Sequence, residues 1–384
     1  ALLPAGMCDV LPPDAAFEAE TTERLMAFFG AFGYQRVKPP MIEFEDSLLT
    51  DNGAAMASQS FRLMDPVSQR MMALRPDMTL QVARIATTRL SDDPRPLRLS
   101  YAGQVLRVKG SSLRPERQFS QVGAELIGSP SPSADAEIIT MAAHALISMG
   151  VRDLSVDLGM PLLVKMLAGE LCMDISRGDG KLRAALDRKD GQVIAALGGR
   201  AAVLFGGLLS VVGPAKGALE ALQALDLPEI VRGEITHLAQ VIELLGEAVP
   251  DLKLTVDPVE LRGYEYHTGI TFTFFSLGLN QELGRGGRYL AGMENGNTER
   301  EPATGITFFL DCVAHAVPHP EKEDRLFLPQ GTPREKADEL RAQGWIAVMA
   351  LEDGGDEEAR RIGCTHILTE NGIRQIDGAE GEGS

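Results

Sequence analysis

Arg117-Gln-Phe119-Ser-Gln121-Val-Gly-Ala-Glu125-Leu-Ile-Gly128 is the stretch that decides the fold, together with what precedes it: Leu97-Arg-Leu-Ser-Tyr101, then Gln104-Val-Leu-Arg107-Val-Lys109. The first segment alternates Leu97, Leu99 and Tyr101 with polar residues, the period of a strand. If 117–128 is also extended, side-chain alternation sends Phe119, Gln121, Gly123 and Glu125 to one face. Ser120, Val122, Ala124 and Leu126 then point to the other face and read as core. An aromatic platform, an amide, a gap without a side chain and a carboxylate suit a small polar ligand lying on a sheet. The plainer reading is an antiparallel strand with one wetted face.

The 384 residues suggest about two domains, one of them large. A hydrophobic content of 44% is ample for a packed core. With 54 acidic against 37 basic residues the formal charge is -17, which lowers the expectation of a nucleic-acid partner, since phosphate contacts supply most of that affinity. Cys8, Cys172, Cys312 and Cys364 lie far apart, show no metal-ligand spacing and read as reduced thiols of a cytoplasmic protein. Neither a secretory leader nor a membrane span is expected: the longest uncharged apolar run, 201–215, is short and holds glycines and a proline.

Working outward, Pro4–Pro13 is turn-rich, and Asp14 is expected to cap a helix with Phe17, Leu25, Met26, Phe28, Phe29 and Phe32 in the core. A hairpin is expected around Pro66, then a helix from Thr79 to Leu90, with Asp77 and Thr79 at its start. Ser133 should cap a helix whose core face is Ile138, Ile139, Met141, Ala142, Leu146 and Ile147. From about 162 to 245 the chain reads as a helical insertion, where His144 just before it and His237 within it are ordinary surface or core positions. Strands follow at Leu252–Asp257, Ile270–Phe275 and Gly305–Leu310. Gly284-Arg-Gly-Gly-Arg288-Tyr289 reads either as a glycine loop able to cradle a phosphate or as a site of close backbone packing. After a charged linker, a small α/β unit is expected: a strand at Arg325–Pro329, a helix at Pro333–Gln343, a buried strand at Trp345–Leu351, a short helix from Asp356 and a hairpin about Asn371-Gly372. From Arg325 on there are 7 basic residues against 12 acidic, and the tail after Gly378 is expected to be disordered.

An arginine ending one strand, a loop, and Arg-x-Phe on the return strand resemble motif 2 of the class II aminoacyl-tRNA synthetases. The continuation Arg-Gln-Phe-x-Gln-x-Gly-x-Glu is similar to the histidyl-tRNA synthetases. Leu74-Arg-Pro-Asp77-Met-Thr79, Leu261-Arg262-Gly-Tyr-Glu-Tyr266-His267-Thr-Gly269 and Gly284–Tyr289 follow in the same order, and Val37–Glu43 resembles motif 1, which builds the dimer in that class. The resemblance implies an α+β fold over residues 1–320, an antiparallel sheet flanked by helices with the helical insertion, and a separate unit over 321–384. It also implies a histidine site. Asp77, Thr79 and Gln121 match groups around the α-ammonium, Glu125 the acid that meets the imidazole, Arg262 a guanidinium near the carboxylate, and Tyr266 a pocket wall. His267 stands where the family usually has a second tyrosine.

The adenylation end departs from the family. Arg107 matches the motif 2 arginine and remains a possible anion contact, but Lys109 replaces the glutamate two residues on. At the end of motif 3, Phe309 replaces a glycine and Cys312 an arginine. A thiol cannot replace a guanidinium on triphosphate oxygens. A retained amino-acid pocket beside lost ATP chemistry resembles the regulatory subunits of ATP phosphoribosyltransferase. That resemblance implies no catalytic residues, no metal and no cofactor. It implies a homodimer within a hetero-octamer, a short-form catalytic subunit as partner and L-histidine as feedback effector in histidine biosynthesis. A divergent histidyl-tRNA synthetase and a stand-alone histidine-binding protein are the alternatives. The first would carry a motif 3 arginine, a motif 2 glutamate and a longer anticodon-reading domain.

Overall fold

The computed structural model describes residues 2–48, 57–110, 114–173, 181–260, 267–292, 300–319 and 323–376. Two compact units result, 1–318 and 319–384. In chain order the strands are β1 (Gln35–Arg36), β2 (Ile42–Phe44), β3 (Arg62–Met64), β4 (Met71–Leu74), β5 (Leu97–Leu106), β6 (Gln118–Ile127), β7 (Leu154–Gly159), β8 (Gly213–Pro214), β9 (Lys253–Asp257), β10 (His267–Ser276), β11 (Gly284–Ala291), β12 (Glu301–Phe309), β13 (Arg325–Leu328), β14 (Ile346–Met349), β15 (His366–Thr369) and β16 (Gly372–Gln375).

The large unit is built on one sheet, ordered β1-β5-β6-β12-β11-β10-β7-β9-β8. Its centre is antiparallel, as expected, while β1 pairs with β5 and β7 with β9 in parallel. The hairpin of β5 and β6 sets the register of the site: Tyr101 faces Gly123, Leu99 faces Glu125, and across the other edge of β6 Gly305 of β12 faces Glu125. A smaller sheet, β2-β4-β3, carries the expected hairpin around Pro66.

Helices Asp14–Ala31 and Pro132–Ser148 belong to the same core as the sheet, with Leu25, Phe29, Ile138, Ile139, Met141 and Leu146 buried among Val122, Ala124, Leu126 and Phe308. Several local expectations shift. Pro13, not Asp14, is the first helix's N-cap, and Asp14 is an acidic residue of the first turn. The second helix is capped by Ser131, whose side chain accepts from the Ser133 amide, with Pro132 at the first position where its missing N–H costs nothing. Phe32 and Ile147, expected in the core, are 37% and 47% exposed. Between β7 and β9 lies the helical insertion, with helices such as Pro161–Glu170, Gly199–Val211 and Arg232–Ala248 and, among the described residues, only the two-residue β8 as a strand.

The glycine run 284–289 is not a loop. It is β11, paired on both sides with β10 and β12, so its backbone groups serve the sheet ladder and make no phosphate cradle. Nor is the Phe119–Glu125 face wetted: Phe119, Gln121, Gly123 and Glu125 are all buried, while Ser120 of the supposed core face is partly exposed.

The second unit orders its strands β14-β13-β15-β16, with helices Arg334–Ala342 and Asp356–Arg361 and the expected hairpin of β15 and β16. β14, expected to be buried, is an edge strand with partly exposed side chains. The predicted disordered tail after Gly378 lies outside the described residues. No helix among the described residues is long and apolar enough to cross a membrane.

Candidate ligand site on the β6 face

Strand β6 holds Gln121 and Glu125 on one face, and the strand-to-helix turn at 76–79 brings Asp77 and Thr79 over them. The Gln121 side chain links the two. Its amide nitrogen donates to Asp77 Oδ2 at 2.8 Å, and its carbonyl accepts from the Met78 backbone N–H at 3.1 Å. Asp77 Oδ1 accepts from the Thr79 N–H at 2.9 Å. This turns the helix start into a fixed polar corner; the amide that Asp77 satisfies would otherwise be an orphan donor of the first turn.

Glu125 is the centre of a second cluster. Tyr101 Oη lies 3.2 Å from Oε1 and Tyr289 Oη 2.9 Å from Oε2. Tyr101 also reaches Thr307 Oγ1 at 2.8 Å and Thr79 Oγ1 at 3.2 Å, so it joins the two clusters. Two glycines make the room. A Cβ on Gly123 would collide with the Tyr101 ring, and one on Gly305 would fall on Glu125 Oε2. Only residues without side chains let the tyrosine and the carboxylate lie flat across the sheet.

Burial raises the Glu125 carboxyl to about 8, with the Asp77 charge pushing the same way and the hydroxyls of Tyr289, Thr79 and Tyr101 partly opposing it. Glu125 is therefore mostly a neutral acid at pH 7. His267, at the start of β10 opposite Tyr289, is pulled down to about 3 by burial and by the charges of Arg285 and Lys165, so its ring is neutral. Thr79, Glu125, His267, Tyr289, Gly305 and Thr307 line a cleft of only about 20 Å³. That is room for about one water, which needs roughly 10–15 Å³ by the same measure, so an imidazole enters only if lining side chains move.

Of the residues singled out from sequence, the structure gathers Asp77, Thr79, Gln121, Glu125 and His267. Arg107 stands next to them, its Nε donating to the Pro76 carbonyl at 3.2 Å. Arg262 and Tyr266 lie outside the described residues. Sequence reasoning missed Tyr101, Tyr289 and Thr307. Strand period marks the first as core, and nothing in a tyrosine's spacing reveals that its hydroxyl meets an acid 24 residues on. Beside this cleft, a larger cavity of about 340 Å³ is lined by Arg107, Arg114, Arg285, Phe309, Asp157 and Glu260, among others. Among the described residues no cluster of His, Cys, Asp or Glu could hold a metal ion.

The sequence pattern of the histidyl-tRNA synthetase family matches residues 6–313. A protein of Paramagnetospirillum magneticum named ATP phosphoribosyltransferase regulatory subunit is 54% identical over 379 residues, covering 98% of both chains. The chain belongs to the ATP phosphoribosyltransferase regulatory subunit family. A second such regulatory subunit, from Rhodospirillum centenum, is 51% identical over 98% of this chain and 96% of its own. Among solved structures, one described as an ATP phosphoribosyltransferase regulatory subunit/histidyl-tRNA synthetase from Bacillus halodurans C superposes with a TM-score of 0.79 over 94% of this chain and 96% of that one, at 24% identity. A histidyl-tRNA synthetase from Nostoc sp. PCC 7120 gives 0.77 at 17% identity, covering 96% of this chain and 91% of that one. At those identities the likeness is one of fold. The regulatory subunit family thus shares the synthetase architecture that motif order in the sequence implies.

Proposed function

We propose that this chain is the non-catalytic regulatory subunit of an ATP phosphoribosyltransferase, activating a short-form catalytic subunit and making it sensitive to L-histidine. The observation that carries the first half is near-full-length identity of 54% to a protein of that name. A buried polar set supports the second half: the Asp77–Gln121 pair for an ammonium and the neutral Glu125 carboxyl for an imidazole, with Arg262 assigned to the carboxylate by sequence resemblance alone. The assembly proposed is a homodimer within a hetero-octamer, acting in the cytoplasm in the first step of histidine biosynthesis.

The narrow cleft fits an effector that works by population shift. Histidine changes activity only if it binds one state of the assembly better than the other. Opening the cleft costs free energy, and that cost couples ligand binding to the positions of β6, β10 and β11, whose residues line it.

The test is a mixing assay. Phosphoribosyl-ATP formation by a short-form catalytic subunit from the same source should rise when this chain is added, and histidine should reverse the rise. No effect on a competent partner would refute the regulatory reading. Histidine-dependent exchange of pyrophosphate into ATP by this chain alone would make it an adenylating synthetase instead.

A further inference from the structure

We propose that His237, Asp135 and Arg288 form a latch through which the helical insertion holds the Glu125 cleft closed, so that releasing the insertion raises the affinity for the effector. The proposal rests on the histidine reading of that cleft and assigns its regulation to positioning residues outside it.

Strand β11 is held differently on its two faces. Arg285, Gly286, Gly287 and Tyr289 line the cleft, and Tyr289 Oη closes on Glu125 Oε2 at 2.9 Å. Alternation sends the Arg288 side chain to the opposite face, toward the helix at 132–148. There Nη1 donates to the Ser129 carbonyl and Nη2 to the Ser131 carbonyl, both at 2.9 Å. Nε and Nη2 also donate to Asp135 Oδ2, at 3.0 and 2.6 Å. The ladder with β10 is interrupted at this point. His267 pairs with Tyr289 and Thr271 with Gly287, so residues 268–270 stand against Arg288 alone. A bulge disrupts regular pairing on that edge, and the arginine's anchorage on Ser129, Ser131 and Asp135 stands in for it. Gly269 makes the room, since a Cβ there would lie 2.9 Å from Arg288 Cδ.

The insertion enters the same joint. His237 Nε2, on helix Arg232–Ala248, lies 2.7 Å from Asp135 Oδ2, and because a carboxylate only accepts, that nitrogen carries the donated proton. Three N–H donors thus converge on Oδ2, while Oδ1 is buried and has no partner among the described residues. A guanidinium is best matched by both oxygens of a carboxylate, in two parallel bonds. The Asp135 carboxylate therefore has two arrangements. In one, seen here, Arg288 and His237 share a single oxygen. In the other, with His237 gone, it turns to give Arg288 both. Two discrete arrangements at a joint are what coupling between separate places requires. The shared arrangement goes with a cleft of about 20 Å³, too small for an imidazole. Turning the carboxylate shifts Arg288, and with it Tyr289, the next residue of the strand. Moving helix Arg232–Ala248 off Asp135 then favours the open cleft, and by reciprocity an effector that opens the cleft loosens that helix.

Hydrogen exchange read by mass spectrometry, with histidine calorimetry alongside, tests this on the full chain, on His237→Ala and on His237→Gln, whose amide restores an N–H donor. Without ligand, His237→Ala should speed exchange in β11 by about fivefold or more and leave β9, which flanks the insertion, unchanged. The same variant should bind histidine about fivefold or more tightly than the wild type, and His237→Gln should match the wild type in both measurements. A residue that merely supported the fold would speed exchange in β9 as well and would leave histidine binding unchanged or weaker. Either of those results, unchanged exchange in β11, or a His237→Gln variant that behaves like His237→Ala would overturn the latch. If the wild type binds no histidine, the histidine reading of the cleft fails, and ligand-free exchange in β11 and β9 still decides whether the insertion holds the strand.

Discussion

Replacing Glu125 with glutamine should make the protein more stable at neutral pH, because the wild-type residue is an acid held far from its solution behaviour. Its carboxyl sits at about 8 where the ordinary value is 4.5, and burial is the main cause. An acid whose pKa is higher folded than unfolded keeps its proton in the native state while the unfolded chain releases it. Stability therefore falls as pH rises from about 4.5 to about 8, then levels off. At 1.36 kcal/mol per pH unit the cost is about 3 kcal/mol at pH 7 and under about 1 kcal/mol at pH 5. Glutamine fills the same space between Tyr101 and Tyr289, accepts from one and donates to the other, and cannot ionise. Glu125→Gln should thus gain up to about 3 kcal/mol at pH 7 and little at pH 5. Urea unfolding followed by far-UV circular dichroism measures this. Trp345, the chain's single tryptophan, lies in the C-terminal unit, so its fluorescence reports the other transition. Loss of stability at pH 7, or an equal gain at both pH values, would refute the account of Glu125 as a buried neutral acid. Histidine binding should weaken in the same variant, a trade of function against stability.

Three further outcomes follow from the same geometry. Gly305→Ala places a methyl group on Glu125 Oε2 and against the Ala124 carbonyl, and should destabilise by about 1–3 kcal/mol in chemical denaturation. Asp135→Ala should cost about 3–5 kcal/mol, since Asp135 Oδ2 receives the buried Arg288 guanidinium at 2.6 and 3.0 Å and His237 Nε2 at 2.7 Å; Asp135→Asn, which keeps an acceptor, should cost less. Gln121→Ala leaves Asp77 Oδ2 without its donor, and should weaken histidine binding about tenfold or more by calorimetry without changing the oligomeric state.

The sequence made strands and helices legible wherever side chains alternate or recur by helical period, as in 97–106, 132–148 and 267–276. It misled where one residue type has two physical uses. Glycines at 284–287 resemble a loop because glycine usually marks one. In the structure they are required in mid-strand: a Cβ on Gly286 would fall on the Gly305 carbonyl, and one on Gly284 on the Phe308 ring. The β6 face was expected to be wet because it carries Gln121 and Glu125, yet both are 1% exposed. Their partners come from turns and strands distant in sequence, which periodicity cannot register. His237 illustrates the same limit. Reading it as a plain helix position was sound, but its bond to Asp135 ties helix Arg232–Ala248 to the helix at 132–148 and, through Arg288, to β11. Nothing in the sequence signals the contact of Arg114 with Cys312 either, since the two lie nearly 200 residues apart.

The protonation state of Glu125 also sets how a histidine effector would respond to pH on the proposed reading. A carboxyl at about 8 and an imidazole titrating in solution near 6.5 together carry one proton across the interval between those values. A bound imidazole facing that carboxyl needs one shared proton, whichever atom holds it. Binding in the interval therefore neither takes up nor releases a proton. Above about 8, both free partners are deprotonated, the complex must capture a proton, and affinity should fall by about tenfold per pH unit. Below about 6.5, both are protonated, one proton must leave, and affinity should fall again. Calorimetry in buffers of different ionisation enthalpy reads the proton count directly. Glu125→Gln removes the alkaline limb because its amide cannot lose a proton. An affinity that stays flat through pH 9 in the wild type would place the imidazole away from Glu125, and the histidine site would have to be sought elsewhere on the chain.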